Sequence, residues 1–102
     1  LKIDGNITDV MNPTPIDKKF EAFGWNVIHA SAHDFNELLD AINAAKACKG
    51  KPTAIIMKSI KGKNVSFMEN QAAWHGSAPN DEQYAQAIAE LDAKIAELEA
   101  KL

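Results

Sequence analysis

Lys58, Lys61, Lys63 and His75 carry the clearest chemistry in this 102-residue chain. The lysines stand around Gly62 in the stretch MKSIKGKNVSFMENQAAWHG, residues 57–76, and His75 follows between Trp74 and Gly76. Lysine is a compact point charge with three donors, a good partner for phosphate. Gly62 lets the backbone come close to a ligand. His75 offers a donor or an acceptor near neutral pH, so it can bind phosphate, hold a substrate hydroxyl or move a proton. Trp74 can wall a pocket, and Gly76 permits a tight turn. The plainer alternatives are a solvated turn and a structural histidine. KGKN is too short for a Walker-type loop or a dinucleotide fingerprint. Spacing alone leaves an α/β fragment with an anion site on one side and a soluble turn on the other.

Other ligand-type residues form no recognisable pattern. His29, His33, His75 and Cys48 lack zinc-ligand spacing. Asp4 and Asp9 lie close together but lack the acidic density of a calcium loop.

The elements that must position the lysines and the histidine are legible in the pattern. NPTPIDKKFEAFG, residues 12–24, predicts a short helix, with Thr14 as cap, Pro15 at the first helical position and Gly24 at the end. Ile16, Phe20 and Phe23 share one of its faces. WNVIHA, residues 25–30, predicts a buried strand. A second helix follows, with Asp34 and Glu37 in capping-box spacing and a stripe of Phe35, Leu38, Leu39 and Ile42. Gly50 and Pro52 close it. TAIIMKSI, residues 53–60, predicts a second strand, bulky enough to be covered on both faces. Strand, helix, strand makes a βαβ unit with parallel strands and a right-handed crossover. The lysines therefore leave the carboxyl end of a parallel strand, where open α/β sheets bind ligands.

Residues 1–80 read as a portion of one α/β domain, and residues 81–102 as a C-terminal amphipathic helix behind Asn80. Tyr84, Ile88, Leu91, Ile95, Leu98 and Leu102 give it a heptad-like seam, for packing on its own domain or on a partner. A two-stranded parallel sheet is a poor domain by itself, so more sheet is expected beside it. The opening Leu1-Lys2-Ile3, without methionine, agrees by reading as a cut edge.

Composition narrows the function classes. The chain is 46% hydrophobic and 25% charged, an ordinary globular balance. Its net charge of −3 argues against nucleic acid or an acidic membrane as a general partner. Three lysines with few aromatics make a poor nucleic-acid footprint. No apolar run approaches membrane-spanning length, and no secretory signal opens the chain. The single cysteine, Cys48, suits a reducing compartment, with the cytoplasm as the expectation.

Read together, LKIDGNITDV, KKFEAFGWNVI, HDFNELLDAI, KPTAIIMKSIKGKNVSF and ENQAAWHGSAP resemble transketolase. They match the second half of its N-terminal, diphosphate-binding domain, and deoxyxylulose-phosphate synthase shares parts of the pattern. The resemblance implies a larger three-layer fold that binds thiamine diphosphate with Mg2+ or Ca2+. It implies transfer of a two-carbon ketol unit between ketose and aldose phosphates, in the pentose phosphate pathway. On the family's pattern, Lys61 holds the cofactor diphosphate. His75 lies near both the diphosphate and the sugar hydroxyls, as a catalytic, cofactor-binding and substrate-binding residue. The metal is held by an aspartate, an asparagine and a backbone carbonyl, and the carbonyl corresponds to Leu1. The aspartate and asparagine correspond to positions upstream of Leu1, and the activating glutamate belongs to the pyrimidine-binding half. Asn64 departs from the pattern, which has glycine there, but asparagine tolerates the left-handed conformation.

The resemblance also implies partners: the remaining transketolase segments or a C-terminal subunit, and a homo-oligomer in the full enzyme. Transketolase is encoded as two chains in many bacteria and archaea, and an N-terminal subunit would suit this sequence. The chain alone is expected to be inactive. The alternative is a non-catalytic interaction module that keeps the fold and docks through the 84–102 helix.

Overall fold

A computed structural model of the chain describes residues 5–10 and 12–102. It divides into two compact units, one of Asn12–Ser59 and the other comprising the start of the chain with Ile60–Leu102.

The first unit is the expected βαβ arrangement. Its elements are α2 (Ile16–Ala22), β1 (Asn26–Ser31), α3 (Phe35–Ala47) and β2 (Thr53–Lys58), after a one-turn α1 (Ile7–Val10) that belongs to the other unit. β1 and β2 pair in parallel from Asn26–Thr53 to Ser31–Lys58. Both helices pack against both strands. With this register, Val27 and Ala54 share one face of the sheet, and Ala30 lies on the other. Ala30 and Ala54 are both buried, so each face has cover at one point.

Local chemistry sets the element ends, with some differences from the pattern reading. α2 starts at Ile16 behind an extended Pro15 and has no side-chain cap. The helix begins one residue later than expected, so Pro15 holds the N-cap position and Thr14, one residue before it, bonds the Asn12 side chain. Lys19 Nζ reaches back 2.7 Å to the Pro13 carbonyl. Past the helix, Trp25 packs edge-on against Phe20, with ring centroids 5.0 Å apart. At α3, Asp34 accepts from the backbone N–H of Asn36 and of Glu37. Glu37 does not complete the box, because its carboxylate accepts from the Ser31 N–H at 3.3 Å.

The packing face of α3 also differs from its large apolar stripe. Ala41 is the buried residue, flanked by half-buried Leu38 and Ala45, whereas Phe35 is 89% exposed and Leu39 and Ile42 are exposed too. Small side chains let a helix approach a sheet closely, and here they form the contact. Among the described residues the buried apolar set is Ala30, Ala41 and Ala54. At about 0.8 kcal/mol per buried methyl-sized group, that is a thin core.

In the second unit, α4 (Asp81–Glu99) starts from a full capping box. Asn80 Oδ1 accepts from the Gln83 N–H at 2.8 Å, and Gln83 Oε1 accepts from the Asn80 N–H at 2.9 Å. Asp81 and Glu82 add favourable charge to the first turn. Further along, Glu97 lies between Lys94 and Lys101 at 3.5 and 3.3 Å. The Lys101 hydrogen bond is the main cause of its lowered pKa. These contacts are exposed and contribute little to stability. Tyr84, Ile95 and Leu98 of the seam are exposed, and Ile88 and Leu91 nearly as much.

α4 is tied to the loop before it. The Ser66 N–H donates to Glu90 Oε1 at 3.1 Å. The Ser66 hydroxyl, its N–H and Gln86 together hold the Glu90 carboxyl below its ordinary value of 4.5. A depressed folded-state value stabilises the protein above the ordinary value, and that contribution is lost as pH falls through the folded value. Acidification below pH 4.5 is therefore expected to release the loop from α4. In the full protein, hydrogen exchange at the Ser66 amide should accelerate as pH falls, after correction for intrinsic rates. Glu90→Gln should flatten that profile, and an unchanged profile would refute the tie.

Candidate functional site

The cation loop and the histidine meet in the second unit, and the backbone explains how. The chain enters at Ile60 and turns at once, with the Lys63 N–H on the Ile60 carbonyl and the Val65 N–H on the Gly62 carbonyl. Gly62 has φ +76°, in the left-handed region. A Cβ there would lie 2.7 Å from the Met68 carbonyl oxygen and 2.8 Å from its carbon. No side chain fits against backbone at that distance. Asn64 also takes positive φ, +76°, as its residue type allows, and its N–H donates to Glu69 Oε1 at 2.9 Å.

The loop then closes on itself. The Asn70 N–H donates to the Lys61 carbonyl at 3.0 Å. A short 3-10 turn, Ala72–Trp74, leads to His75, whose N–H donates to the Ala72 carbonyl. Trp74 Nε1–H donates to the Phe67 carbonyl at 3.0 Å, and the two rings lie 5.4 Å apart. Together these bonds place Lys61 Nζ 2.5 Å from His75 Nδ1, across fourteen positions of sequence.

Lys61 and His75 are thus brought together directly, a contact the spacing did not suggest. Lys63 is an exposed member of the same loop, and Lys58 is the exposed last residue of β2 in the sheet unit. His29 belongs to the sheet unit as well, 3.4 Å from Asp17, beside a cleft of about 280 Å3 lined by Glu37 and Asp40. Among the described residues no three His, Cys, Asp or Glu side chains assemble a metal site. Leu1 and Asp4 lie outside the described residues, as does the side chain of Asp9. Pattern reading missed Glu69, Asn70 and the Phe67 carbonyl, which shape the loop. The sole advance signal was the density of asparagine and glycine between residues 62 and 70.

This donor set fits an anion. An ammonium group has three donors, and the contact with His75 uses one, leaving two. The ring keeps its second nitrogen, Nε2. An ammonium group and a ring nitrogen together on one closed loop suit a phosphate or diphosphate.

The fold is therefore α/β, followed in sequence by a closed loop that carries Lys61 and His75. Comparison with known proteins makes this specific: residues 1–97 match transketolase, thiamine diphosphate binding domain, and the chain belongs to that family. A 6-deoxy-6-sulfo-D-fructose transketolase subunit of Clostridium sp. (strain MSTE9) is 36% identical over 90% of this chain and 34% of its own length. An apulose-4-phosphate transketolase subunit of Phocaeicola vulgatus is 32% identical over 97% of this chain and 35% of its own. Mouse transketolase is 37% identical over 76% of this chain and 12% of its own. The chain spans about a third of the length of the first two relatives.

The site's weak point is Gly62. Gly62→Ala in the full protein is expected to lower stability by about 1 kcal/mol from the left-handed backbone alone, and by more from the collision with Met68. The denaturation midpoint and Trp74 emission report the two effects. Wild-type values for both would show that the loop does not need glycine there.

Proposed function

We propose that this chain is the diphosphate-binding part of a transketolase that moves a two-carbon ketol unit between sugar phosphates. The observation that carries the reading is the Lys61–His75 pair, which gathers a cation and a ring nitrogen at one point of the loop. Lys61 holds a diphosphate oxygen with its remaining donors, and His75 turns its other nitrogen towards the phosphate and the sugar hydroxyls. Thiamine diphosphate, when bound, supplies the electron sink for making and breaking a carbon–carbon bond beside a carbonyl. Removal of water from around the ammonium strengthens its hold on charge. On the family pattern, the Leu1 backbone carbonyl would be one ligand of Mg2+ or Ca2+, and the other ligands would come from the rest of the protein. Activity requires the pyrimidine-binding half, supplied by the same protein or by a partner chain, in a homo-oligomer. Two of the relatives are named as subunits, which supports a partner.

Lys61→Ala and His75→Ala in the assembled protein are each expected to weaken thiamine diphosphate binding about 10- to 100-fold. That is the scale of a charge-assisted hydrogen bond, about 1.5–3 kcal/mol. Calorimetric titration measures binding, and a ketol-transfer assay with sugar phosphates measures activity. Wild-type affinity in both variants would overturn the assignment.

The second reading, a non-catalytic module that docks through residues 84–102, draws support from the exposed seam of α4. On the first reading residues 81–102 are an amphipathic helix that packs on the 1–80 portion or on a partner; on the second they are the docking element. Leu91→Lys with Leu98→Lys is expected to dissociate the assembly in size-exclusion chromatography. An unchanged elution volume would make the seam an internal face.

A further inference from the structure

We infer that Lys61 is a positioning residue that fixes the tautomer of His75, so that His75 meets its ligand as a hydrogen-bond donor through Nε2. The inference rests on the anion-site reading and specifies which nitrogen of the ring faces the ligand. Lys61 Nζ lies 2.5 Å from His75 Nδ1. A lysine ammonium has three donors and no lone pair. The nitrogen it meets must accept, so Nδ1 is bare and the neutral ring carries its hydrogen on Nε2.

The surrounding loop holds both partners in this relation. The Lys61 carbonyl is pinned by the Asn70 N–H, and the His75 N–H is spent on the Ala72 carbonyl. Trp74, the neighbour of His75, is anchored through its indole to Phe67. The Nε2–H therefore seeks an acceptor, such as a phosphate or hydroxyl oxygen. A ring in this tautomer stabilises negative charge at Nε2 by donating, and has no lone pair there with which to remove a proton. Lys61 thus acts on the ligand twice, directly with its free donors and indirectly by orienting the donor of His75.

The test uses the assembled protein labelled with 15N-histidine, at about pH 8, between the ordinary histidine and lysine ranges. The His75 signals, assigned by loss in His75→Gln, are expected to show a bare, hydrogen-bonded Nδ1 and a protonated Nε2. Lys61→Met is expected to move the Nδ1 signal to the position of an unbonded bare nitrogen, and Lys61→Arg to move it back. A protonated Nδ1 in the wild type overturns the inference whether or not the variants fold. An Nδ1 signal unmoved by Lys61→Met, in protein with wild-type Trp74 emission, overturns it as well. Titration with inorganic pyrophosphate separates the two proposals. Loss of pyrophosphate and cofactor binding with the tautomer intact would sink the functional reading alone.

Discussion

The approach of the Met68 backbone to Gly62 is the constraint on which the site depends. Past Ile60 the chain turns twice and comes back to bond its own Lys61 carbonyl from Asn70. The reversal needs a left-handed residue with no side chain, because a Cβ would meet the Met68 carbonyl group well inside contact distance. Everything downstream follows from that closure. Asn70 can then reach the Lys61 carbonyl, Trp74 can reach Phe67, and His75 can reach the lysine. The chemical groups are ordinary surface residues until the backbone brings them within hydrogen-bond distance.

Much of this was legible in the sequence, for identifiable reasons. The βαβ order was readable because short β-branched runs and a long periodic helix alternate with glycine and proline punctuation. Lys61 and His75 stood out because a glycine followed one and flanked the other, and the family pattern paired them. Their direct contact was not legible. It depends on main-chain bonds from Asn70 and His75, and main-chain groups carry no residue signature. Thr14 and Glu37 were misread for different reasons. α2 begins one residue late, which leaves Thr14 outside the N-cap, whereas Glu37 spends its carboxylate on the Ser31 N–H. Propensity names the groups able to cap; where the helix starts and competition for partners decide which of them do.

The α3 face shows where periodicity misleads. Phe35, Leu39 and Ile42 form a proper apolar stripe, yet the helix meets the sheet through Leu38, Ala41 and Ala45. Alanine lets backbones come close, while the larger side chains stay exposed. The same holds for Met57 on β2 and for the α4 seam. Contiguous exposed apolar surface is commonly where a protein makes contacts.

The separations along the chain bear on assembly order. Lys61 and His75 close a loop of 14 residues, whereas the Asn26 and Thr53 side chains bond across 27. Closure entropy grows only with the logarithm of length, so halving the loop lowers its cost by about 0.6 kcal/mol. That gap is too small to rank the two events. What separates them is range, because the sheet's main-chain bonds join distant residues in one register while most of those in the site loop join near neighbours. Pairing of β1 with β2 is in that sense the more cooperative of the two closures.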